Sequence, residues 1–137
     1  MKDFIVYINE KLKVTKPMLK QNYDKYHPKT KDELVETIKE EVENNGWECD
    51  LNHIDVSKIT DMSYLFSTTS AGYGLGYLPG YNLEKFNGDI SRWNTSNVVK
   101  FDKCFMKAIA FDSNINDWDI SSAISTRFMF EGASNFN

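Results

Sequence analysis

Gly88-Asp89-Ile90-Ser91-Arg92-Trp93-Asn94-Thr95-Ser96-Asn97-Val98 and Ser113-Asn114-Ile115-Asn116-Asp117-Trp118-Asp119-Ile120-Ser121-Ser122-Ala123 align on a shift of 25 residues. The match continues beyond them: Phe105 falls over Phe130, Ala108 over Ala133 and Phe111 over Phe136, and Phe86 lies 25 residues before Phe111. A degenerate earlier copy, Asp50-Leu51-Asn52-His53-Ile54-Asp55-Val56-Ser57-Lys58-Ile59-Thr60-Asp61-Met62-Ser63-Tyr64-Leu65-Phe66, sits at an offset of 39, which is the period plus 14. The additional residues can be located. Phe105–Phe111 and Phe130–Phe136 are each six apart, but Phe66–Phe86 is twenty apart, so the insertion falls near residues 67–81. It holds four of the seven glycines and Pro79, which predicts a surface loop. A fixed period of this length means that neighbouring copies complete one another's core, because no single copy can bury its own apolar face.

Within one copy, Ile90-Ser91, Trp93-Asn94-Thr95 and Val98 alternate as a short extended segment would. Val99, Phe101, Cys104, Phe105 and Ala108 then recur at spacings of two to four, which suits a helical turn or two over the core. Asn87-Gly88 and Asp112-Ser113-Asn114 supply turn chemistry between copies. Stacking the copies predicts one ladder of Phe86, Phe111 and Phe136, and another pairing Trp93 with Trp118. The ladders account for an aromatic content of 14%, with nine Phe, seven Tyr and three Trp.

The N-terminal part reads as a cap. Phe4–Ile8 is β-prone and predicts a short strand, and Pro17 and Pro28 break the stretch that follows. Thr30-Lys31-Asp32-Glu33 is a capping box that opens a helix over 31–44. Leu34, Val35, Ile38 and Val42 share one face of it, and Asn44-Asn45-Gly46 ends it. The division expected is a capping segment over 1–48 and a repeat region over 49–137, with the insertion loop at about 67–81.

At 137 residues and 15.9 kDa the chain suffices for one domain with a modest core. Hydrophobic residues at 41% and charged residues at 26% exclude global disorder. No apolar run approaches the roughly 20 residues of a membrane span, and no signal peptide is recognisable. A cytoplasmic protein is the expectation, or else one trimmed from a secreted parent. Cys49 and Cys104 form no C-x-x-C pair and no disulfide framework, which fits a reducing compartment. The net charge of −4 conceals three blocks: +5 over residues 1–31, −8 over 32–55, and −1 over the rest. The basic block contains no Arg and reads as a solvated surface, so direct nucleic-acid binding is not expected.

Chemistry is scarce. Asp112-Ser113-Asn114-Ile115-Asn116-Asp117 begins like a calcium loop, but the sixth position is Asp117 and the twelfth is Ala123, so an EF-hand is excluded and Asx turns remain. His27 and His53 have no zinc-ligand spacing around them. Cys104 aligns with Leu65 and Met129, which marks a core position and an inert thiol. The glycines of the insertion lack the Lys-Ser/Thr of a phosphate loop. No catalytic residue, metal or cofactor is expected.

Phe86-Asn87-Gly88-Asp89-Ile90-Ser91-Arg92-Trp93-Asn94, Trp118-Asp119-Ile120-Ser121 and Glu131-Gly132-Ala133-Ser134-Asn135-Phe136-Asn137 resemble the repeat of BspA-type bacterial surface proteins, also called the mycoplasma-lipoprotein repeat. Val56-Ser57-Lys58-Ile59-Thr60-Asp61-Met62-Ser63-Tyr64-Leu65-Phe66 matches it too, so the resemblance covers roughly 50–137. Thr126 and Arg127 depart from it, standing where Met and a small polar residue are usual. The resemblance implies a binding role, no catalytic residues, and relatives that are secreted or lipid-anchored. The fold class it implies is α+β: a short leucine-rich-repeat-like solenoid of about three 25-residue repeats with an N-terminal strand/helix cap.

Two functions are expected from these readings. One is an intracellular, non-enzymatic binder that inhibits or sequesters a bacterial target, for example a phage- or mobile-element-encoded inhibitor of a CRISPR or other defence nuclease. The acidic helix, with Glu36, Glu40 and Glu43, would steer onto a partner's basic nucleic-acid groove. The alternative is a piece of a cell-surface or secreted repeat protein that binds host or matrix proteins. Tyr73, Leu75, Tyr77, Leu78 and Tyr81 of the insertion are the predicted partner contacts in either case. The last copy has no following cap, which predicts self-association or partner docking near Phe128, Phe130 and Phe136.

Overall fold

The computed structural model describes residues 23–69, 74–77 and 83–137. Among them, residues 23–25 are helical, α1 is the helix Lys31–Asn45, and two short 3-10 turns follow, Leu75–Tyr77 and Leu83–Lys85. Thr30 caps α1 by accepting from the Glu33 amide at 3.2 Å, and the Glu33 carboxylate reaches back to the Lys29 amide at 2.7 Å. Gly46, at φ 93°, ends the helix and donates to Val42 O at 2.8 Å; that backbone angle favours glycine. Leu34, Val35, Ile38 and Val42 are buried as their spacing predicts. Thr37 and Glu41 are buried with them.

The α+β solenoid expectation is overturned. Among the described residues there is no sheet; β structure is confined to three isolated parallel bridges, Asp50–Asp89, Asp61–Lys100 and Lys100–Ser125. The predicted strand Phe4–Ile8 lies outside the described residues. The segments that follow each bridge are runs of tight turns. In the second copy the amides of Cys104, Met106 and Ala108 donate three residues back, to Phe101, Lys103 and Phe105 O. The amides between them point to the next copy: Phe101, Lys103, Phe105 and Lys107 donate to Ser125, Arg127, Met129 and Glu131 O at 2.7–2.9 Å. The first copy does the same, with Met62, Tyr64, Phe66 and Thr68 donating to Lys100, Asp102, Cys104 and Met106 O. Every second amide closes a turn and every other one reaches a neighbour, so the backbone is satisfied without a ladder of strands. Left-handed backbone recurs in register: Tyr64, Lys103 and Phe128 have φ of 60°, 55° and 52°, and Lys107 and Gly132 have 57° and 73°. A non-glycine residue in that region costs about 1 kcal/mol, which the hydrogen bonds on either side offset.

Side chains follow the backbone register. Phe66, Phe105 and Phe130 stack at 5.2 and 5.3 Å between centroids, with planes 11° and 1° apart. Phe86, Phe111 and Phe136 stack at 6.2 and 5.7 Å, the ladder expected from the period. Trp93 stacks on Trp118 at 6.2 Å, and their indole N–H groups donate to Leu51 O and Ile90 O in the copies before them. Asx turns join the segments: Asp50, Asp89 and Asn114 each accept from the amide two residues on, and so do Asp55, Asn94 and Asp119. One hydrophobic cluster runs from Leu34 through Phe66 and Phe105 to Trp118, so α1 and the copies share a core.

The reading of the insertion changes where it is described. Leu75 is fully buried, and its amide donates to Leu65 O at 3.0 Å. A methyl on Gly74 would collide with Tyr64 O, and one on Gly76 with Ser67 O. Here glycine permits main chain to lie directly on main chain. Phe105→Ala removes a ring enclosed by four others and should cost about 3–5 kcal/mol. Phe136→Ala, already half-exposed at the end of its ladder, should cost roughly half of that or less. Urea unfolding of the two variants checks the order, and equal losses would contradict a core shared between neighbouring copies.

Candidate functional site

The sequence-predicted contacts separate on the structure. Tyr73, Leu78 and Tyr81 lie outside the described residues, and Tyr77 ends the 3-10 turn. Leu75 belongs to the core and offers no side chain to a partner. Glu36, Glu40 and Glu43 are all exposed on α1, and Glu40 pairs with Lys25 at 3.2 Å.

Glu41 belongs to the interior, which the acidic composition concealed. Its carboxylate accepts from the Tyr26 hydroxyl at 2.9 Å and from Asn45 Nδ2 at 3.2 Å, with Lys25 Nζ and His53 Nε2 each 3.3 Å away. Burial works to raise this carboxyl, yet the Tyr26 hydroxyl, the Lys25 ammonium and the charge of His53 outweigh it and hold it below its ordinary value. Lys25 is raised: burial opposes its charge, while the Tyr26, Glu40 and Glu41 oxygens stabilise it. His27 reaches Asp55 at 3.1 Å, and the Asp55 amide donates to Tyr26 O at 2.8 Å. These contacts fasten α1 and the segment before it to the first copy. The signal available in the sequence was position: Glu41 falls in register with Leu34 and Ile38 on the helix face that packs inward.

Exposed apolar side chains gather on the last copy. Ile120, Ile124 and Phe128 are 54%, 77% and 60% exposed, and Phe130 and Phe136 are half-buried. Their register mates in the second copy are Thr95, Phe105 and Phe111, which are fully buried, and Val99 and Lys103, which are half-buried. Phe130 and Phe136 stack on each other at 4.3 Å with planes 3° apart. Beside them runs a groove of about 330 Å³ lined by Tyr64, Lys100, Asp102, Lys103, Arg127 and Phe128. Lys103 Nζ sits 5.3 Å from the Tyr64 ring and 5.8 Å from that of Phe128, so both aromatics are held by cation–π contact.

Among the described residues no group of three His, Cys, Asp or Glu side chains is placed to hold a metal, and no helix is long and apolar enough to cross a membrane. Burial pushes the Cys104 thiol far up, so it stays protonated inside the core. Burial also raises Cys49.

Over residues 19–74 and 80–137 the chain matches the family described as Mycoplasma protein of unknown function, DUF285. The chain belongs to that family. The break between the two matched stretches falls inside the insertion, and the first stretch takes in α1 together with the first copy. The DUF285 match thus follows the physical units: a helix-capped copy, then two copies of 25-residue period. No curated protein and no solved structure matches the chain.

The depressed carboxyl of Glu41 sets the sign of the acid response. Its stabilisation is in place above the ordinary value of 4.5 and is lost as pH falls through the lower folded value. Asp55, held down by the Ser57 hydroxyl and amide, and Asp89, held down by those of Ser91, act with the same sign below 3.8. Stability measured by urea unfolding should therefore fall below about pH 4.5. Glu41→Gln should lower it by about 1–3 kcal/mol at pH 7 and flatten the acid limb. An unchanged acid limb in that variant would assign the loss to other carboxylates.

Proposed function

We propose that the chain is a non-enzymatic protein-interaction module that binds a protein partner through the outer face of its last copy. The observation that carries this reading is positional. Ile120, Ile124 and Phe128 hold apolar side chains 54%, 77% and 60% exposed, at the register positions of Thr95, Val99 and Lys103. Among the described residues five large hydrophobic side chains are exposed, and three of them, Ile120, Ile124 and Phe128, belong to this copy; exposed apolar groups gathered in this way mark contact surfaces. Aromatics in a rigid frame lose little conformational freedom on binding.

The narrower role, inhibition or sequestration of a bacterial target, is supported by charge. Glu36 and Glu43 are exposed on α1, so that helix presents negative charge that would steer it towards a basic groove. The chain would then act by occupying its target's surface. No chemistry is required of Cys104, His27 or His53, which serve the core and the α1 anchorage.

A photo-crosslinking side chain placed at residue 128 tests the surface. The expected result is capture of one partner, competed away by excess unlabelled protein and much less by a Phe128→Ser competitor. Phe128 is exposed, so that change should alter stability by no more than about 0.5 kcal/mol. Equal competition by the two proteins would remove this face from the binding site.

A further inference from the structure

Two cavities adjoin on the flank of the stack. One, of about 290 Å³, is lined by Lys29, Thr30, Lys31, Asp32, Thr60 and Asp61. The other is the groove of about 330 Å³ that holds Lys100, Lys103 and Arg127, and Asp61 is common to both. This channel lies along the stack, not at its end. Lys100 and Lys103 belong to the second copy, which has a copy bonded on either side of it, and still Lys100 is exposed and Lys103 half-buried. Stacking of copies therefore leaves the flank open. Its charge is opposite to that of the molecule: the two cavities hold five cations and three carboxylates, whereas the described residues together carry eleven cations and eighteen carboxylates. Two of the three carboxylates are engaged in turns. Asp61 accepts from the Ser63 amide and hydroxyl at 2.8 and 2.6 Å, and Asp102 from the Arg127 amide at 3.1 Å. Among the described residues, Lys31–Asp61 at 4.0 Å is the one ion pair within 4 Å that the five cations make. Two of the cations are fixed in place: Lys31 donates to Ser63 O and Lys103 to the Tyr64 hydroxyl, each at 3.1 Å. Lys29, Lys100 and Arg127 are exposed.

We propose that this channel binds an extended acidic segment of a partner protein, with carboxylates three residues apart. This deepens the protein-binding reading above and rests on it, without drawing on Ile120 or Ile124. Complementary charge selects the segment and speeds its encounter with the flank. The spacing follows from where the cations stand. They fall into two groups, Lys29 and Lys31 at one end and Lys100, Lys103 and Arg127 at the other, with Asp61 between them. Lys31 is bonded to Ser63 of the first copy, and Arg127 holds the register position of Ser63 in the last. Rings at equal register step by 5.2 and 5.3 Å from copy to copy, which puts those two positions about 10 Å apart. An extended segment with three residues per turn brings residues i and i+3 to one face at about 9 Å. Acidic side chains at that spacing reach both groups and leave an uncharged residue over Asp61. Nucleic acid fits less well. Its phosphates repeat at every nucleotide, while the channel interrupts its cations with Asp32, Asp61 and Asp102 and offers a single Arg.

Fluorescence anisotropy of short labelled peptides against the full chain, at an ionic strength of about 20 mM, tests this. The probe is a Gly-Ser peptide carrying two Glu three residues apart, and it should bind with a Kd of about 0.1–1 mM. The same peptide with Gln for both Glu, or with the two Glu adjacent, should bind at least about fivefold more weakly. Lys100→Glu and Arg127→Glu, both at exposed positions, should each weaken the probe by about tenfold while leaving the urea midpoint nearly unchanged. Backbone amide shifts of residues 100, 103 and 127 should move as the probe is added. No saturable binding at about 5 mM peptide, equal binding of the Gln peptide, or unaltered affinity in both charge-reversal variants would each overturn the proposal. Tighter binding of a short oligothymidylate than of the probe would assign the channel to nucleic acid and overturn it too. If crosslinking at residue 128 captures a partner while the acidic peptide fails to bind, the channel alone fails. If the peptide binds as expected and crosslinking captures nothing, the channel stands and the apolar-face reading fails.

Discussion

One constraint organises the molecule: every buried amide and carbonyl must find a partner. The copies meet it by dividing their main-chain groups between two tasks. Amides of Cys104, Met106 and Ala108 close turns three residues back, and the intervening ones cross to the next copy. The division works only if the backbone alternates its handedness. That is why left-handed angles fall on Lys103 and Lys107 and again, 25 residues later, on Phe128 and Gly132. A strand turns the amides of successive residues to opposite sides and so needs a donor-accepting neighbour in both directions. The turn ribbon instead sends its outward donors one way and receives acceptors' bonds from the other.

Side-chain identity follows from that main-chain spacing. Copies joined by hydrogen bonds place equivalent residues one above another, so whatever stands at a position must pack on its own kind. Flat rings do this well, and the Phe66–Phe105–Phe130 planes deviate by only 11° and 1°. The second ladder, Phe86–Phe111–Phe136, interlocks with the first through contacts of 4.3–4.5 Å. Trp93 and Trp118 each add a bond from the indole N–H to the preceding copy, at Leu51 O and Ile90 O, so these large side chains also keep the register.

This is also where the sequence was legible and where it was not. Identical residues at a fixed period reveal which side chains stack, so the Phe and Trp ladders and the buried face of α1 could be read directly. Local backbone conformation could not. Ile90, Trp93 and Val98 alternate as a strand would, but the alternation comes from Asx turns at Asp89 and Asn94. The left-handed angles at Tyr64, Lys103 and Phe128 fall on residues with no preference for that region, so nothing in their identity announces the turn ribbon. Glycines at 74 and 76 imply flexibility by composition, yet they are required by close main-chain approach. Among the helix carboxylates, Glu41 differs from Glu40 only in which way the helix turns it.

The polarity of the stack makes its two sides unequal in kind. On one side the first copy presents carbonyls, and the chain answers them with donors of its own: the Lys31 ammonium reaching Ser63 O from α1, and the Leu75 amide reaching Leu65 O from the insertion. A long cation and a glycine-flanked main chain are well suited to this, since both bring a donor to a recessed oxygen without a bulky side chain in the way. The insertion between the first and second copies thus acts as part of the seal, and it keeps that side from serving as a docking edge. On the other side each copy turns its donors towards the copy that follows, as residues 101–107 do towards residues 125–131.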